Sequence, residues 1–438
     1  MLRFNKNTIL LASTAVAAIM VAETATAGGF ALREQSAYYQ GLSFAGNATS
    51  GPSISSMFWN PAAITGAKDG ITVEAHNSLI IPESDVTGTY TAQGGAQLLG
   101  RPNSSVAGGD IGVDAWVPAS YASYRLNEQL VFGVGINAPY GLSTKPEDAN
   151  WAGRYYSRSS SVFSINVNPT VAYQFNDMIS FGFGAQFQYI KVDLKSAYAA
   201  SNTAETSSVE GDSFGVGFTA GVTFKPIDGT EIGLGFRSAV GHDLDGKFSN
   251  PAGVSLGGPF AGSTVDISGS VMTPEVLTLS AKQRLTDDIR ILGTVEWTNW
   301  SRVGTIALSS TGSTTNPTGV PDLTFNYEDG WFFALGAEYD WNEALTLRAG
   351  AAYELSPIDT DIRSTRLPDN DRIWLSAGLS YQAMQNLSFD LGYSYIFTKD
   401  TDIKIVDGHQ DYKANIGTFV GEADANVNIL SASMRYTF

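Results

Sequence analysis

Apolar and polar residues alternate along most of this chain. In one stretch, Phe163, Ile165, Val167, Val171 and Tyr173 are separated by polar or small residues. Because successive side chains of a β-strand point to opposite faces, this pattern predicts a strand with one apolar and one polar face. The same alternation recurs in residues 345–353 and 387–397. The chain is therefore predicted to consist mainly of two-faced β-strands.

Fourteen segments with this alternation can be recognised. They cover residues 70–82, 112–126, 129–140, 160–176, 178–195, 208–226, 229–241, 263–286, 288–309, 321–340, 343–356, 370–383, 386–404 and 418–438. Six connections are tight turns, and the other seven are long, polar loops. An even strand number with short turns at one end is the plan of an outer-membrane barrel, whose short turns face the periplasm. We therefore predict an all-β membrane protein, a 14-stranded antiparallel outer-membrane β-barrel over residues 70–438.

A soluble β-sandwich is the alternative, and the polar face of the strands argues against it. That face is rich in glycine, as at Gly182, Gly221 and Gly233, where a water-exposed face would carry Lys and Glu more often. Small residues suit a crowded barrel interior. Aromatic residues also gather at segment ends, as the interfacial girdles of a barrel require. They include Phe175, Tyr339, Tyr353, Tyr381, Tyr395, Phe397 and Tyr436.

Residues 1–27 have the layout of a secretory signal peptide. Arg3 and Lys6 precede an apolar run that ends at Val21, and Ala25-Thr26-Ala27 forms a small-x-small cleavage site. The apolar run is too short to cross a bilayer as a helix, which needs about 20 residues. The mature chain is therefore expected to start at Gly28.

Residues 28–69 lack the two-residue period. The segment contains Phe30, Leu32, Phe44 and Trp59, which would need burial. A segment of this kind at the start of a barrel can fold inward as a small N-terminal hatch, or plug. The alternative is a periplasmic tail, and the apolar residues favour the hatch.

Composition excludes several classes of function. The net charge of −17 argues against nucleic-acid binding, which requires basic patches. The chain has no cysteine and only three histidines, His76, His242 and His409. We find no metal-ligand spacing and no phosphate-binding loop in the sequence. We therefore predict neither an enzyme nor a metal or cofactor site.

Several short motifs occur along the chain. The most specific is Asn60-Pro61-Ala62-Ala63 in the N-terminal segment. Others are Gly29-Phe30, Glu34-Gln35-Ser36, Gly41, Ala45-Gly46, Asn137-Ala138-Pro139-Tyr140-Gly141-Leu142, Trp151-Ala152-Gly153-Arg154-Tyr155 and Asn166-Val167-Asn168-Pro169. Together these motifs resemble the FadL family of hydrophobic-compound transporters, which includes TodX. The resemblance extends from the signal peptide to Phe438.

This resemblance implies passive outer-membrane transport of long-chain fatty acids or similar hydrophobic compounds. A ligand would bind a groove between outer loops, then an interior pocket, and leave through a lateral opening at a kink in the third strand. The alternatives are an aromatic-hydrocarbon channel of the same family and a general porin. A porin would need a charged constriction loop and no hatch.

The resemblance also assigns roles to residues of the hatch and the third strand. Phe30 matches the family residue that fills or gates the inner pocket, although a buried chain anchor would look the same. Asn60, Pro61 and Ala62 match a turn linked to opening, or they only shape the hatch. In the third strand, Gly133 and Gly135, followed by Pro139, are expected to break ladder bonds and create the lateral opening. Packing of the two glycines near the hatch is the alternative.

Basic and aromatic residues supply the remaining candidates. Arg154, Arg158, Lys282 and Arg348 are candidates to pair with a ligand carboxylate, and salt bridges to the hatch are the alternative. The outer groove is expected to involve Leu142, Trp151, Tyr155, Tyr156 and Phe260, unless the loops pack on themselves.

The expected partners are a hydrophobic small molecule, outer-membrane lipid and lipopolysaccharide, in a monomeric protein. The final residue, Phe438, ends an alternating segment and resembles the signal that barrels present to their assembly machinery. The residues do not discriminate between a fatty acid and an aromatic hydrocarbon.

Overall fold

The computed structural model describes residues 28–98, 100–197, 205–250, 264–310 and 322–438, so the predicted signal peptide lies outside the described residues. Within these ranges, fourteen strands form a closed antiparallel barrel, as predicted. They are β1 Gly70–Thr91, β2 Ala115–Arg125, β3 Leu130–Asn137 and Gly141–Thr144, β4 Ser159–Gln174, β5 Ile179–Ala197, β6 Thr206–Phe224, β7 Thr230–Arg237 and Val240–Ser249, β8 Thr264–Thr273 and Val276–Arg284, β9 Ile289–Thr298, β10 Gly330–Asn342, β11 Leu345–Leu355, β12 Arg372–Met384, β13 Leu387–Thr398 and Thr401–Ile405, and β14 Thr418–Thr437. Pairing of β1 with β14, from Thr72↔Thr437 to Thr91↔Thr418, closes the wall.

The two faces of the strands differ as the alternation predicts. On β4, Ser164 and Asn166 are fully buried, whereas Val171 and Tyr173 point outward and are exposed. The apolar outer face and the polar or small inner face are therefore confirmed.

Several strand ends differ from the prediction. β1 continues to Thr91, because its outer half still pairs with β14. β9 stops at Thr298, because Trp300–Arg302 forms a 3-10 helix, and β10 begins only at Gly330. A short helix, α2, occupies Gly95–Leu98. Two-residue strands occur at Gly109–Asp110, Thr305–Ile306, Ser309–Ser310 and Leu323–Thr324.

Asparagine side chains fix the turns at the short-turn end. Oδ1 of Asn176 accepts hydrogen bonds from the amides of Met178 at 2.9 Å and Ile179 at 2.8 Å. Asn127 and Asn342 make the same pair of bonds in their own turns. This local chemistry explains why these connections are tight.

The N-terminal segment, residues 28–69, contains short helical pieces and is largely buried. The helix α1 spans Ala37–Gln40, and 3-10 helices span Ile54–Phe58 and Pro61–Gly66. Glycines on inward faces allow the segment to touch the wall backbone. A methyl group added at Gly182 would overlap the Pro61–Ala62 peptide, and one at Gly233 would overlap the carbonyl of Ala48.

The third strand is interrupted at residues 138–140. Gly133 and Gly135, which were expected to break the ladder, are paired on both sides, Gly133 with Ser123 of β2 and Thr170 of β4. A carbon at Gly133 would instead meet Met57 of the N-terminal segment at 2.7 Å. The prediction that Gly133 and Gly135 interrupt the strand is therefore wrong. The interruption lies at residues 138–140, which include Pro139.

The last residue joins the wall. The amide of Phe438 donates to the carbonyl of Ile71 at 2.8 Å, and its ring packs against Tyr436 at 4.8 Å between centroids. Among the described residues, no helix is long and apolar enough to cross a membrane.

Candidate functional site: an apolar cavity below the long loops

A large apolar cavity lies inside the barrel near the long-loop end, with about 1210 Å³ of empty space, including the part open to solvent. Alternation on the strands brings inward-facing aliphatic side chains together there, and the loops add more. The walls are formed mainly by Val162, Ile190, Val192, Leu194, Val209, Leu244, Ile267, Val271, Val303, Ile306, Leu308, Leu323, Ile358, Ile362 and Leu367. Such a surface binds an apolar molecule by removing it from water.

Phe30 lies at this cavity, where the N-terminal segment begins. Its ring packs edge-on against Trp300 at 4.7 Å and against Tyr140 at 5.8 Å, between centroids. Its carbonyl accepts from the amide of Gly141 at 2.8 Å. Phe30 is therefore both part of the cavity lining and bonded to the interrupted third strand.

The interruption in β3 leaves a gap in the wall. Strands β2 and β3 pair only from Ser120↔Ile136 to Arg125↔Val131 and meet again at an isolated bridge, Gly112↔Thr144. Between these points the hydrogen bonds of β3 go elsewhere. Pro139 O accepts from Leu32 N at 2.9 Å, and Ala138 O accepts from Gln35 Nε2 at 2.8 Å.

The gap contains about 320 Å³ of empty space. It is lined by Pro118, Ala119, Ser120, Ile136, Asn137, Ala138, Phe163, Ser164 and Ile165. The Phe30–Tyr140 contact links the apolar cavity to this gap, because Phe30 lines the cavity and the amide of Tyr140 donates to Ser164 Oγ of the gap lining at 2.9 Å. The predicted Pro139 follows Ala138 of the lining but does not itself line the gap.

Asn60 joins the N-terminal segment to the wall. Its Oδ1 accepts from the amide of Ala62 at 3.0 Å and so caps the 3-10 helix that begins at Pro61. Its Nδ2 donates to Ala48 O at 2.7 Å and to Val222 O of β6 at 3.0 Å. A side chain at Gly221 would occupy the position of the Asn60 amide.

The predicted cations Arg154 and Arg158 do not line the cavity. Arg154 donates to the carbonyls of Asn150 at 2.9 Å and Trp151 at 3.0 Å. Arg158 donates to the carbonyls of Ala149 and Glu205 and to Thr206 Oγ1. Both hold the outer loops together, which corrects their predicted place in the ligand pocket.

Lys282 and Arg348 lie against the N-terminal segment. Lys282 Nζ is 3.1 Å from Glu231 Oε2 and also bonds the carbonyl of Ser50. Arg348 lies over the ring of Tyr38 at 4.1 Å and 3.6 Å from Asp390. Neither lines the apolar cavity. Their salt bridges join residues of the wall, whereas the hydrogen bond to Ser50 and the contact with the Tyr38 ring hold the N-terminal segment.

The aromatic groove candidates are mostly buried. Trp151, Tyr155 and Tyr156 belong to a buried cluster with Tyr90 of β1 and Phe419 of β14, and Trp151 is fully enclosed. These three loop residues therefore pack against strand ends of the wall and do not line an open groove. Leu142 lies in the interior cavity instead, and Phe260 is outside the described residues.

Arg366 is the residue that sequence reasoning missed. It is the one basic side chain among the described residues that line the apolar cavity. Its Nη1 donates to Ser159 O at 3.3 Å, Ser160 Oγ at 3.2 Å and Lys195 O at 3.2 Å. Burial lowers the pKa of the Arg366 guanidinium to about 10, which leaves it charged at neutral pH.

A closed barrel with apolar outer walls and a polar interior is a membrane β-barrel, and the comparisons with known proteins specify which kind. The model of the family described as outer membrane protein transport protein (OMPP1/FadL/TodX) matches residues 18–438. The chain therefore belongs to this family of the Gram-negative outer membrane.

Two curated relatives illustrate the similarity. A long-chain fatty acid transport protein of Escherichia coli O6:H1 is 30% identical over 415 residues, which cover 87% of this chain and 90% of the relative. Outer membrane protein P1 of Haemophilus influenzae is 26% identical over 479 residues, with full coverage of both chains.

Solved structures agree on the fold. The structure of a Pseudomonas aeruginosa FadL homologue superposes with a TM-score of 0.80 at 23% identity, covering 94% of this chain and all of that one. The Ralstonia pickettii toluene transporter TbuX gives a TM-score of 0.65 at 18% identity, covering 92% and 99% of the two chains.

Proposed function

We propose that the protein carries long-chain fatty acids or similar hydrophobic molecules passively across the outer membrane. The observation that supports this proposal most strongly is the apolar cavity inside the barrel, which the Phe30–Tyr140 contact separates from a gap in the wall. Each methylene group buried there contributes about 0.8 kcal/mol, so an acyl chain would bind the wall rather than diffuse through water. The two curated relatives named above, one of which is a long-chain fatty acid transport protein, fit this function.

The N-terminal segment is the proposed hatch. It fills the lumen on the side of the short turns, which we assign to the periplasm. Ligand would therefore not pass straight through the barrel axis. In this proposal Phe30 gates the cavity, and Asn60, Pro61 and Ala62 hold the hatch against β6.

The gap between β2 and β3 is the proposed exit. Movement of Phe30 away from Tyr140 would connect the cavity with the gap, and the ligand would then leave sideways into the hydrocarbon layer. An apolar molecule gains from this route, because it avoids both the polar hatch and water.

Arg366 supports a carboxylate ligand over a hydrocarbon. Its Nη1 is held by acceptors of Ser159, Ser160 and Lys195, so the other nitrogens of the guanidinium group would bond the ligand headgroup. The lining around it is mainly apolar but also contains Glu210 and Asp411. An aromatic hydrocarbon has no carboxylate and would form no ion pair with this guanidinium group. A general porin is disfavoured by the filled lumen.

The experiment is to fill the gap. Pro118→Trp places a large side chain at the gap, while Leu391→Trp, on an exposed lipid-facing position of β13, is the matched control. We expect Pro118→Trp to slow oleate uptake by cells roughly tenfold or more, by steric exclusion from the exit. Oleate binding to the purified protein should persist, and the control should transport normally. Unchanged uptake by the Pro118→Trp protein would refute the lateral exit.

Loss of oleate binding in both variants would indicate misfolding rather than a blocked exit. Heat-modifiable migration on gels, which reports barrel closure, separates the two cases. Recognition of Phe438 by the assembly machinery, contact with lipopolysaccharide and a monomeric state stay predictions.

A further inference from the structure

The start of the described chain lies against two carboxylates. The amide of Gly29 donates to Asp369 Oδ2 at 3.1 Å. A carbon built on the Cα of Gly28 would lie 2.5 Å from Oε1 of Glu354. Asp369 and Glu354 are themselves buried, with 2% and 3% of their surfaces exposed. The backbone of residue 28 is therefore held between two carboxylates away from bulk water.

Buried acids and bases are packed together at this place. Four buried acids interact with one another or with shared partners, namely Glu34, Glu296, Glu354 and Asp369. Among the described residues, four guanidinium groups interact with these acids, those of Arg33, Arg237, Arg363 and Arg372. An amine at the start of the chain would therefore lie among buried charged groups.

The contacts of these groups show which carboxylate oxygen lacks a partner. Arg33 is shared between two acids, with Nη1 2.5 Å from Glu296 and Nε 3.2 Å from Glu354. Arg372 pairs with the carboxylate of Asp369, whereas Arg363 bonds its backbone carbonyl at 2.7 Å. Oε2 of Glu34 is buried and has no hydrogen-bond partner among the described residues. A buried carboxylate oxygen without a partner is costly, so this cluster can accept a further cation.

We propose that the α-ammonium group of Gly28, formed by cleavage after Ala27, is such a cation and binds between Glu354 and Asp369, because the chain start already lies against both carboxylates. The uncleaved chain has a neutral peptide bond at that nitrogen, so only the mature protein can form the ion pair. The inference rests on the cleavage site and not on the transported ligand.

This ion pair would set the position of the proposed gate. Gly28 lies two residues before Phe30, whose ring packs on Trp300 and whose carbonyl bonds Gly141. Anchoring the chain start by charge therefore fixes Phe30 at the cavity. Removal of the signal peptide would therefore release the protein and also create the ion pair that holds Phe30 in its closed position at the cavity.

The test begins with protein purified from outer membranes. Intact mass establishes the first residue, and an N-terminus other than Gly28 overturns the proposal. With [15N]glycine labelling, the α-amino nitrogen resonates apart from the amides and can be titrated by NMR. An ordinary α-amino group titrates with a pKa of about 7.7–8.0. We expect the folded protein to titrate at least about one unit higher, because paired carboxylates favour the charged form.

Burial alone would move this titration in the opposite direction, because it disfavours the ammonium form. A midpoint at or below the ordinary value therefore overturns the proposal. Asp369→Asn should lower the raised midpoint, and Asp228→Asn, an acid that is exposed in the β6–β7 turn, is the matched control.

A second variant keeps the test valid if Asp369→Asn does not fold. Insertion of Ala-Ser after Ala27 leaves every wall residue in place but moves the ammonium group two residues from its proposed site. We expect the α-amino titration of this protein to return to the ordinary range and its gel-monitored unfolding temperature to fall by several degrees. An extended protein as stable as the mature protein would count against the ion pair.

Discussion

The two halves of the barrel interior are built on opposite principles. At the short-turn end, the N-terminal segment meets the wall through buried hydrogen bonds and ion pairs, with backbone approaching backbone at Gly182 and Gly233. At the long-loop end, aliphatic side chains surround empty space, and Arg366 is the single base among the described lining residues. Full packing serves stability in the first half. The second half keeps a space that no side chain of the described residues fills, which is what a ligand site requires.

The largest expected effect is in the packed half. Gly221→Val would place a side chain on the position of Oδ1 of Asn60 and displace the cap of the Pro61–Gly66 helix. We expect a loss of about 1–3 kcal/mol of stability, as for other overpacked sites, together with a rise in single-channel conductance. Unfolding in urea with gel-shift detection and planar-bilayer recordings measure the two effects.

Gly293→Val is the matched control for this substitution. Gly293 also lies in the wall, but a carbon added there would meet only Ala334 O at 3.6 Å. Its stability and conductance should stay near those of the unsubstituted protein. If both variants behaved alike, the close approach of hatch and wall would not explain why the wall has glycine at positions such as Gly221.

The second-largest expected effect is on ligand binding in the apolar cavity at the long-loop end. Leu244→Trp enlarges a cavity-lining side chain of β7, and Leu234→Trp changes an exposed leucine on the outer face of the same strand. We expect the first to weaken oleate binding at least roughly tenfold, because the indole ring fills space in which several methylene groups of the acyl chain would be buried, with little change in stability. Leu234→Trp should leave both oleate binding and stability unchanged. Equal affinities, measured by fluorescent fatty-acid displacement, would mean that the cavity is not the binding site.

The contrast also explains what could be predicted from sequence. Alternation is a local property, so it yielded the strand number and the two faces of β4. Pro139 carried a local signal as well, since proline has no amide donor for a ladder. The prediction that Gly133 breaks the strand was wrong, because a glycine that accommodates Met57 cannot be distinguished in sequence from one that breaks a strand.

Arg366 could not have been found in this way. It follows β11 in a loop without alternation, and its hydrogen bonds reach Ser160 and Lys195, which are 206 and 171 residues away. Whether an aromatic residue in a loop is exposed or buried is equally hard to predict from sequence. Trp151 is fully buried by Phe419 and neighbouring residues from distant parts of the chain.

The smallest and most specific effect concerns the charge in the cavity. Arg366→Leu leaves a shorter, apolar side chain and removes the guanidinium group. We expect oleate affinity to fall about tenfold, the lower end of the effect of losing one charge-assisted hydrogen bond, which contributes about 1.5–3 kcal/mol. Methyl oleate and toluene should bind as before, because neither offers a carboxylate.

Arg154→Leu separates this role from general loop damage. Arg154 was a candidate from sequence, unlike Arg366, but its guanidinium bonds the carbonyls of Asn150 and Trp151 in the outer loops. Its loss should loosen those loops and leave the ratio of oleate to methyl oleate affinity unchanged. If Arg366→Leu weakened both ligands to the same extent, its contacts with Ser159, Ser160 and Lys195 would be purely architectural. The cavity would then select its ligand by shape and apolar area alone.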